Sequence, residues 1–214
     1  MAILPTQTGN RDEVIARLRQ NIAINAGIGP TANIALVREC QAGIFRREKR
    51  YREEEPLLLD AIADLAKQKG TDPTLMATAL NNLAVLRFDH ERYQESLDLQ
   101  LESIRVWETA LGKEHPSLVT PLNNLATSYV KIGRFEDAEH ALQPAIYTCG
   151  KTLGENHPDY AVILKNYAFV LQKLDRKREA KKFKEQGLRI EQASNRRNGV
   201  GSTITLTILH YKGN

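Results

Sequence analysis

Cysteine is scarce in this chain of 214 residues: Cys40 and Cys149 are the only two, and neither sits in a CxxC pair. That excludes a disulfide framework. Both read as small buried residues rather than ligands, and a reducing cytoplasm is the expected setting. Aromatic residues make up 6% of the chain. Nowhere is there an apolar run of the roughly 18 residues that a membrane helix requires. The opening MAILPTQTGNRDE has no basic stretch followed by an apolar core, so no secretory leader is expected. Also missing are a nucleophile–base grouping, a cluster with metal-ligand spacing and a dinucleotide fingerprint. No catalytic residue, cofactor or metal is assigned, and an enzyme is not expected.

What remains has the balance of a folded protein, with 42% hydrophobic and 26% charged residues. The length suits one sizeable domain or a short repeat array. The net charge of +4 is unevenly spread. Between Lys165 and Arg197 lie eleven basic residues and four acidic ones. Such an end attracts acidic partners, or merely keeps a terminal helix in solution.

The strongest signal is repetition. LGKEHP begins at Leu111 and LGENHP at Leu153, 42 residues later. With the same step, Asn81-Asn82-Leu83-Ala84 recurs as Asn123-Asn124-Leu125-Ala126 and as Lys165-Asn166-Tyr167-Ala168. One step backward adds Ala42 to the series Ala84, Ala126 and Ala168. A second small position runs through Ala61, Ser103, Ala145 and Gly187, and a third through Tyr51, Tyr93, Phe135 and Lys177.

Each unit reads as two helices. Leu122, Leu125, Ala126 and Tyr129 recur at three- and four-residue spacing, the stripe of a first helix. Gly133 suits a left-handed helix end. A second stripe then follows through Phe135, Ala138, Leu142, Ala145 and Ile146. Small residues at fixed places let two helices approach closely, and a fixed period of such pairs means stacked hairpins.

The spacing of Leu122, Leu125, Ala126, Tyr129, Gly133, Phe135, Ala138 and Ala145 resembles the tetratricopeptide repeat. NNLA, GRFEDAE, LGKEHP and the longer period are similar to its kinesin-light-chain variety. The resemblance covers about residues 35–192. It departs from the family at Arg38 and Gln41, where leucines are expected, and at Arg87, where an aromatic is usual. It implies an all-α fold, a right-handed superhelix or solenoid of stacked helical hairpins. No long heptad segment precedes the repeats, so motor transport is not implied.

Within that frame four units are expected, at about 35–76, 77–118, 119–160 and 161–192. Residues 1–10 read as a disordered lead, and 11–34 as a capping helix with its loop, its apolar side carrying Val14, Ile15, Leu18 and Ile22. Residues 193–214 read as a linker and tail, ending in the strand-like alternation TITLTILHY. The polar helix RKREAKKFKEQGLRIEQ fits a terminal unit, whose outer face has no neighbour. Glu53, Glu54 and Glu55 read as a helix start rather than a metal site.

The repeated histidines then become punctuation. Gly112 and Gly154 suit helix termini, and Pro116 and Pro158 suit the first turn of the next helix. His115 and His157, just before those prolines, are placed for a local hydrogen bond rather than for catalysis.

The family resemblance also implies a concave groove lined by the first helices. Mapped onto this chain, it offers Asn81, Asn82, Val85, Phe88 and Asp89, then Asn123, Asn124, Thr127, Val130 and Lys131. Lys165, Asn166, Phe169, Gln172 and Lys173 follow, with Arg46 and Arg47 from the first unit. An asparagine amide both donates and accepts, so a ladder of them suits an extended peptide backbone, and the flanking cations favour carboxylates. The expected function is a non-catalytic scaffold or adaptor binding a short acidic peptide, with Asn124 and Lys131 exposed to it. The alternative is a basic C-terminal helix that binds nucleic acid or an anionic surface, though Phe183 is its only aromatic for stacking. Self-association through the tail is a further expectation.

Overall fold

The computed structural model describes residues 51–67, 70 and 72–197. Seven helices lie among them: α1 (Tyr51–Lys67), α2 (Pro73–Asp89), α3 (Tyr93–Leu111), α4 (Val119–Lys131), α5 (Phe135–Thr152), α6 (Pro158–Lys173) and α7 (Lys177–Arg197). A 3-10 turn at Pro116–Leu118 leads into α4, and no strand occurs among the described residues. The all-α expectation therefore holds. The expected lead and capping helix, and the tail beyond Arg197, lie outside the described residues, as do Ala42, Arg46 and Arg47.

The chain divides into two compact units, Met1–Leu86 and Arg87–Asn214. In the first, Ala61, Leu65 and Ala79 form a small buried cluster with Ile62, Leu75 and Met76 against it. In the second, α3 packs on α4, α4 on α5, α5 on α6 and α6 on α7. Leu97, Leu125, Leu142, Ile163, Leu164 and Leu171 are among its continuous core. Each such leucine or isoleucine contributes roughly 1.5–3 kcal/mol by leaving water.

The repeat register appears directly in this packing. Ala84, Ala126 and Ala168 are all buried, as are Ala61, Ser103 and Ala145. At the last of these small positions, a Cβ on Gly187 would stand 2.9 Å from the carbonyl oxygen of Ala161 and 2.9 Å from Cγ of Lys165. Only glycine lets α7 approach α6 this closely. Tyr93, Phe135 and Lys177, one position in the sequence period, are the first residues of α3, α5 and α7.

The joints are equally periodic. His115 and His157 cap their helices: each accepts at Nδ1 from the amide two residues on, Ser117 and Asp159, at 3.2 Å. Asp72 does the same for Thr74 at 2.9 Å. Gly112 and Gly154 have φ of 88° and 89°, the left-handed region that these helix ends require.

Between paired helices the turn is closed by a device the period contained but did not announce. Arg92, Arg134 and Arg176, one step of 42 apart, each hold the acid three residues on: Glu95, Asp137 and Glu179. Arg87, the departure from the usual aromatic, is buried and pairs with the same Glu95 at 3.4 Å.

One boundary differs from expectation. Helix α7 continues to Arg197, past Ala193 where the linker was expected to start. Between Ala193 and Gly199 there is no glycine or proline, so nothing breaks the helical backbone there.

Candidate peptide-binding site

The first helices α4 and α6 carry most of the groove positions, and their burial separates these into two groups. Asn123, Asn124, Thr127, Val130 and Asn166 are buried. So is Val85, in the first compact unit, where Asn81 and Asn82 are half-buried. The expectation that Asn124 lies exposed is thus overturned, since α4 is covered along this side. The reason is the stacking itself. Asn166 on α6 donates its amide to Oδ1 of Asn123 on α4 at 2.7 Å, so the next first helix lies over the asparagine face. Thr127 donates its hydroxyl to the Asn123 carbonyl at 2.9 Å, back along its own helix. The Asn166 amide thus ties α6 to α4, and the Thr127 hydroxyl is engaged within α4.

The other group is accessible and is built from cations on aromatic rings. Lys131 at the end of α4 is half-buried, with Nζ 5.9 Å from the ring centroids of both Phe88 and Tyr93. Those rings meet edge to face at 5.3 Å. One repeat on, exposed Lys173 stands over Phe169 at 5.4 Å. An ammonium over a ring face gains about 0.5–2 kcal/mol, and the contact helps to fix where the ammonium stands. Lys165 is mostly buried and bound to Glu191 at 2.8 Å, so it belongs to the joint between α6 and α7. Gln172 and Asp89 are exposed.

A polar bridge that sequence reasoning missed ties the last hairpin to α5. The Tyr167 hydroxyl donates to Glu139 at 2.8 Å, and Arg176 donates to the same oxygen at 2.6 Å. Burial and then the Glu139 bond push the Tyr167 hydroxyl pKa upward. The signal available in sequence was only that Glu139 is an acid on the second stripe's flank.

The described residues contain no group of three or more His, Cys, Asp and Glu able to hold a metal ion. Nor is any described helix long and apolar enough to cross a membrane. Cys149 is fully buried, and desolvation, with a smaller contribution from the Asp159 charge, pushes its thiol pKa up to about 12. A thiol in that state is inert as a nucleophile at neutral pH.

Residues 75–146 and 133–193 match the family model of the tetratricopeptide repeat. Among curated proteins no sequence matches this chain. Solved structures share its fold. BtubC (BKLC) from P. vanneervenii has a TM-score of 0.77 at 20% identity, over 88% of this chain and 75% of that one. A Podosopora anserina putative kinesin light chain with nearly identical TPR-like repeats has a TM-score of 0.69 at 23% identity, over 90% and 92%. The apo form of RapI follows at 0.76 and 14% identity, over 87% and 67%. The expected solenoid fold and its likeness to kinesin-light-chain repeats both hold.

Proposed function

Because the chain belongs to the tetratricopeptide repeat family, a fold of protein–protein interaction scaffolds, we propose that it is a non-catalytic cytoplasmic scaffold holding a short acidic segment of another protein. Four units over 35–192 are part of this reading. The carrying observation is the pair Lys131 and Lys173, one repeat apart, each fixed over an aromatic ring. Two positioned ammonium groups on the first helices suit carboxylates spaced along one ligand. Phe88 and Phe169 add apolar contact area. In this reading Asn123, Asn124, Thr127, Val130 and Asn166 shape the wall behind the ligand.

The basic-helix alternative has less support. Phe183 packs edge-on against Tyr167 at 4.9 Å, which removes the helix's one aromatic from stacking on a base.

The test is capture from an immobilised library of extended acidic decapeptides. Lys131→Glu should weaken capture about tenfold, and added salt should weaken it further. Lys181→Glu with Lys182→Glu, both on exposed side chains of α7, should change it little. If the α7 variant loses the peptides and Lys131→Glu keeps them, the basic end is the binding site and this reading fails.

A further inference from the structure

An open cleft of about 560 Å³ runs between α6 and α7. It is lined by Lys165, Phe169, Gln172, Lys181, Lys184 and Leu188 among others. Subtracting one repeat turns these into Asn123, Thr127, Val130, Glu139, Leu142 and Ile146. That is the surface on which α6 itself lies, with Asn166 bonded to Asn123 and Tyr167 to Glu139. In the interior copy Thr127, Val130 and Leu142 are buried. In the last copy Phe169 is half-buried, and Gln172 and Lys184 are exposed. Of these two copies of the socket, the interior one is filled by a helix and the last is an open cleft among the described residues.

The substitutions between the copies indicate what the open one takes. Its floor remains apolar, with Ala168, Ala180, Phe169 and Leu188. Its rim has changed sign or gained charge: Asn123 becomes Lys165, Phe135 becomes Lys177, Glu139 becomes Lys181 and Leu142 becomes Lys184. Glu191 is the one acid on the lining and is bound to Lys165. Where the interior helix offers a hydroxyl to Glu139, an occupant of the last socket faces the Lys181 ammonium instead.

We infer that this terminal cleft docks an amphipathic helix from a partner protein, its apolar stripe on the floor and its flank acidic. The cleft shares Phe169 with the groove of Lys131 and Lys173 but takes a helix rather than an extended chain. Recognition is of the helix-in-groove kind, with apolar anchors at three- and four-residue spacing and carboxylates over the lysine rim.

The probe is a labelled peptide of residues 158–173 carrying Asn166→Glu and Tyr167→Glu, a copy of the helix that fills the interior socket with acids where the rim is basic. Free, a peptide of this length is marginally helical. Added to the full chain, it should bind and gain helix by circular dichroism, at least tenfold more tightly than the unsubstituted peptide. Lys181→Glu with Lys184→Glu in the full chain should reduce its affinity about tenfold, whereas Lys131→Glu should leave it unchanged; loss of decapeptide capture alone leaves this result standing. Equal binding of both peptides, or no effect of the α7 variant, overturns the inference. So does a tenfold gain in affinity from Leu206→Asp, which makes the chain's own 203–211 segment the occupant. A dimer in sedimentation that Lys184→Glu dissociates also overturns it, by making a second copy the occupant.

Discussion

Asn166 and Asn123, 43 residues apart in sequence, meet side chain to side chain at 2.7 Å with neither exposed to solvent. A buried amide left without its partner costs about 1–3 kcal/mol. Asn123→Ala and Asn166→Ala should each lower the urea midpoint accordingly. The double variant should cost less than the two added, because the second change removes a group already orphaned. Strict additivity would mean that the two amides do not interact in solution.

The left-handed turn between paired helices gives a second expectation. Glu91, Gly133 and Asp175 occupy one position of the period and all have positive φ, 61°, 79° and 59°. A residue with a Cβ is strained there by roughly 1 kcal/mol or more. Glu91→Gly and Asp175→Gly should therefore raise the melting temperature modestly, and Gly133→Ala should lower it. A fall in melting temperature for both glycine variants would contradict the strain argument.

Close packing gives a third. Ala126 is fully buried, and Gly187 has no room for a methyl group against Ala161 and Lys165. Ala126→Leu and Gly187→Ala should each cost about 1–3 kcal/mol by overpacking, read as a lower denaturant midpoint. Ala126→Leu with unchanged stability would remove the basis for the repeat register.

The fourth concerns Cys149. With its thiol pKa pushed up from 9.0 to about 12 by burial, the folded chain keeps that proton longer than the unfolded one. Its contribution to stability is intact below pH 9 and is lost as pH rises toward 12. Compared with Cys149→Ala, the wild type should lose stability more steeply across that window. Peptide-resolved mass spectrometry should find Cys149 unalkylated at pH 8 until denaturant is added. Rapid native alkylation at this residue would refute the buried assignment.

Much of the architecture was legible because it is written in small residues and breakers. Ala126, Gly133, Phe135, His115 and His157 each occupy the role that their spacing implies, since local backbone chemistry and close approach leave few alternatives. The asparagines misled for a definite reason. The periodicity of one helix shows which side carries Asn123 and Asn124, but not that the helix a unit later lies across that side. Coverage of this kind is a property of the stack. The pairs of Arg92, Arg134 and Arg176 with Glu95, Asp137 and Glu179 were readable from the same period. They lie outside the apolar stripes, at positions where an exposed ion pair leaves no hydrophobic signal.

Between Gly112 and Pro116, and again between Gly154 and Pro158, a few residues both end one helix and start another, with the histidine as the cap. In each joint the stop is made by the joint's own glycine and the start by its own histidine, so the two travel together. A block cut at equivalent points in two joints carries complete instructions for its own ends. Duplicating it in frame lengthens the array by a whole unit and leaves the phase of every later residue unchanged. Length in such a chain is a count of modules, and recombination can alter it without rewriting any one of them.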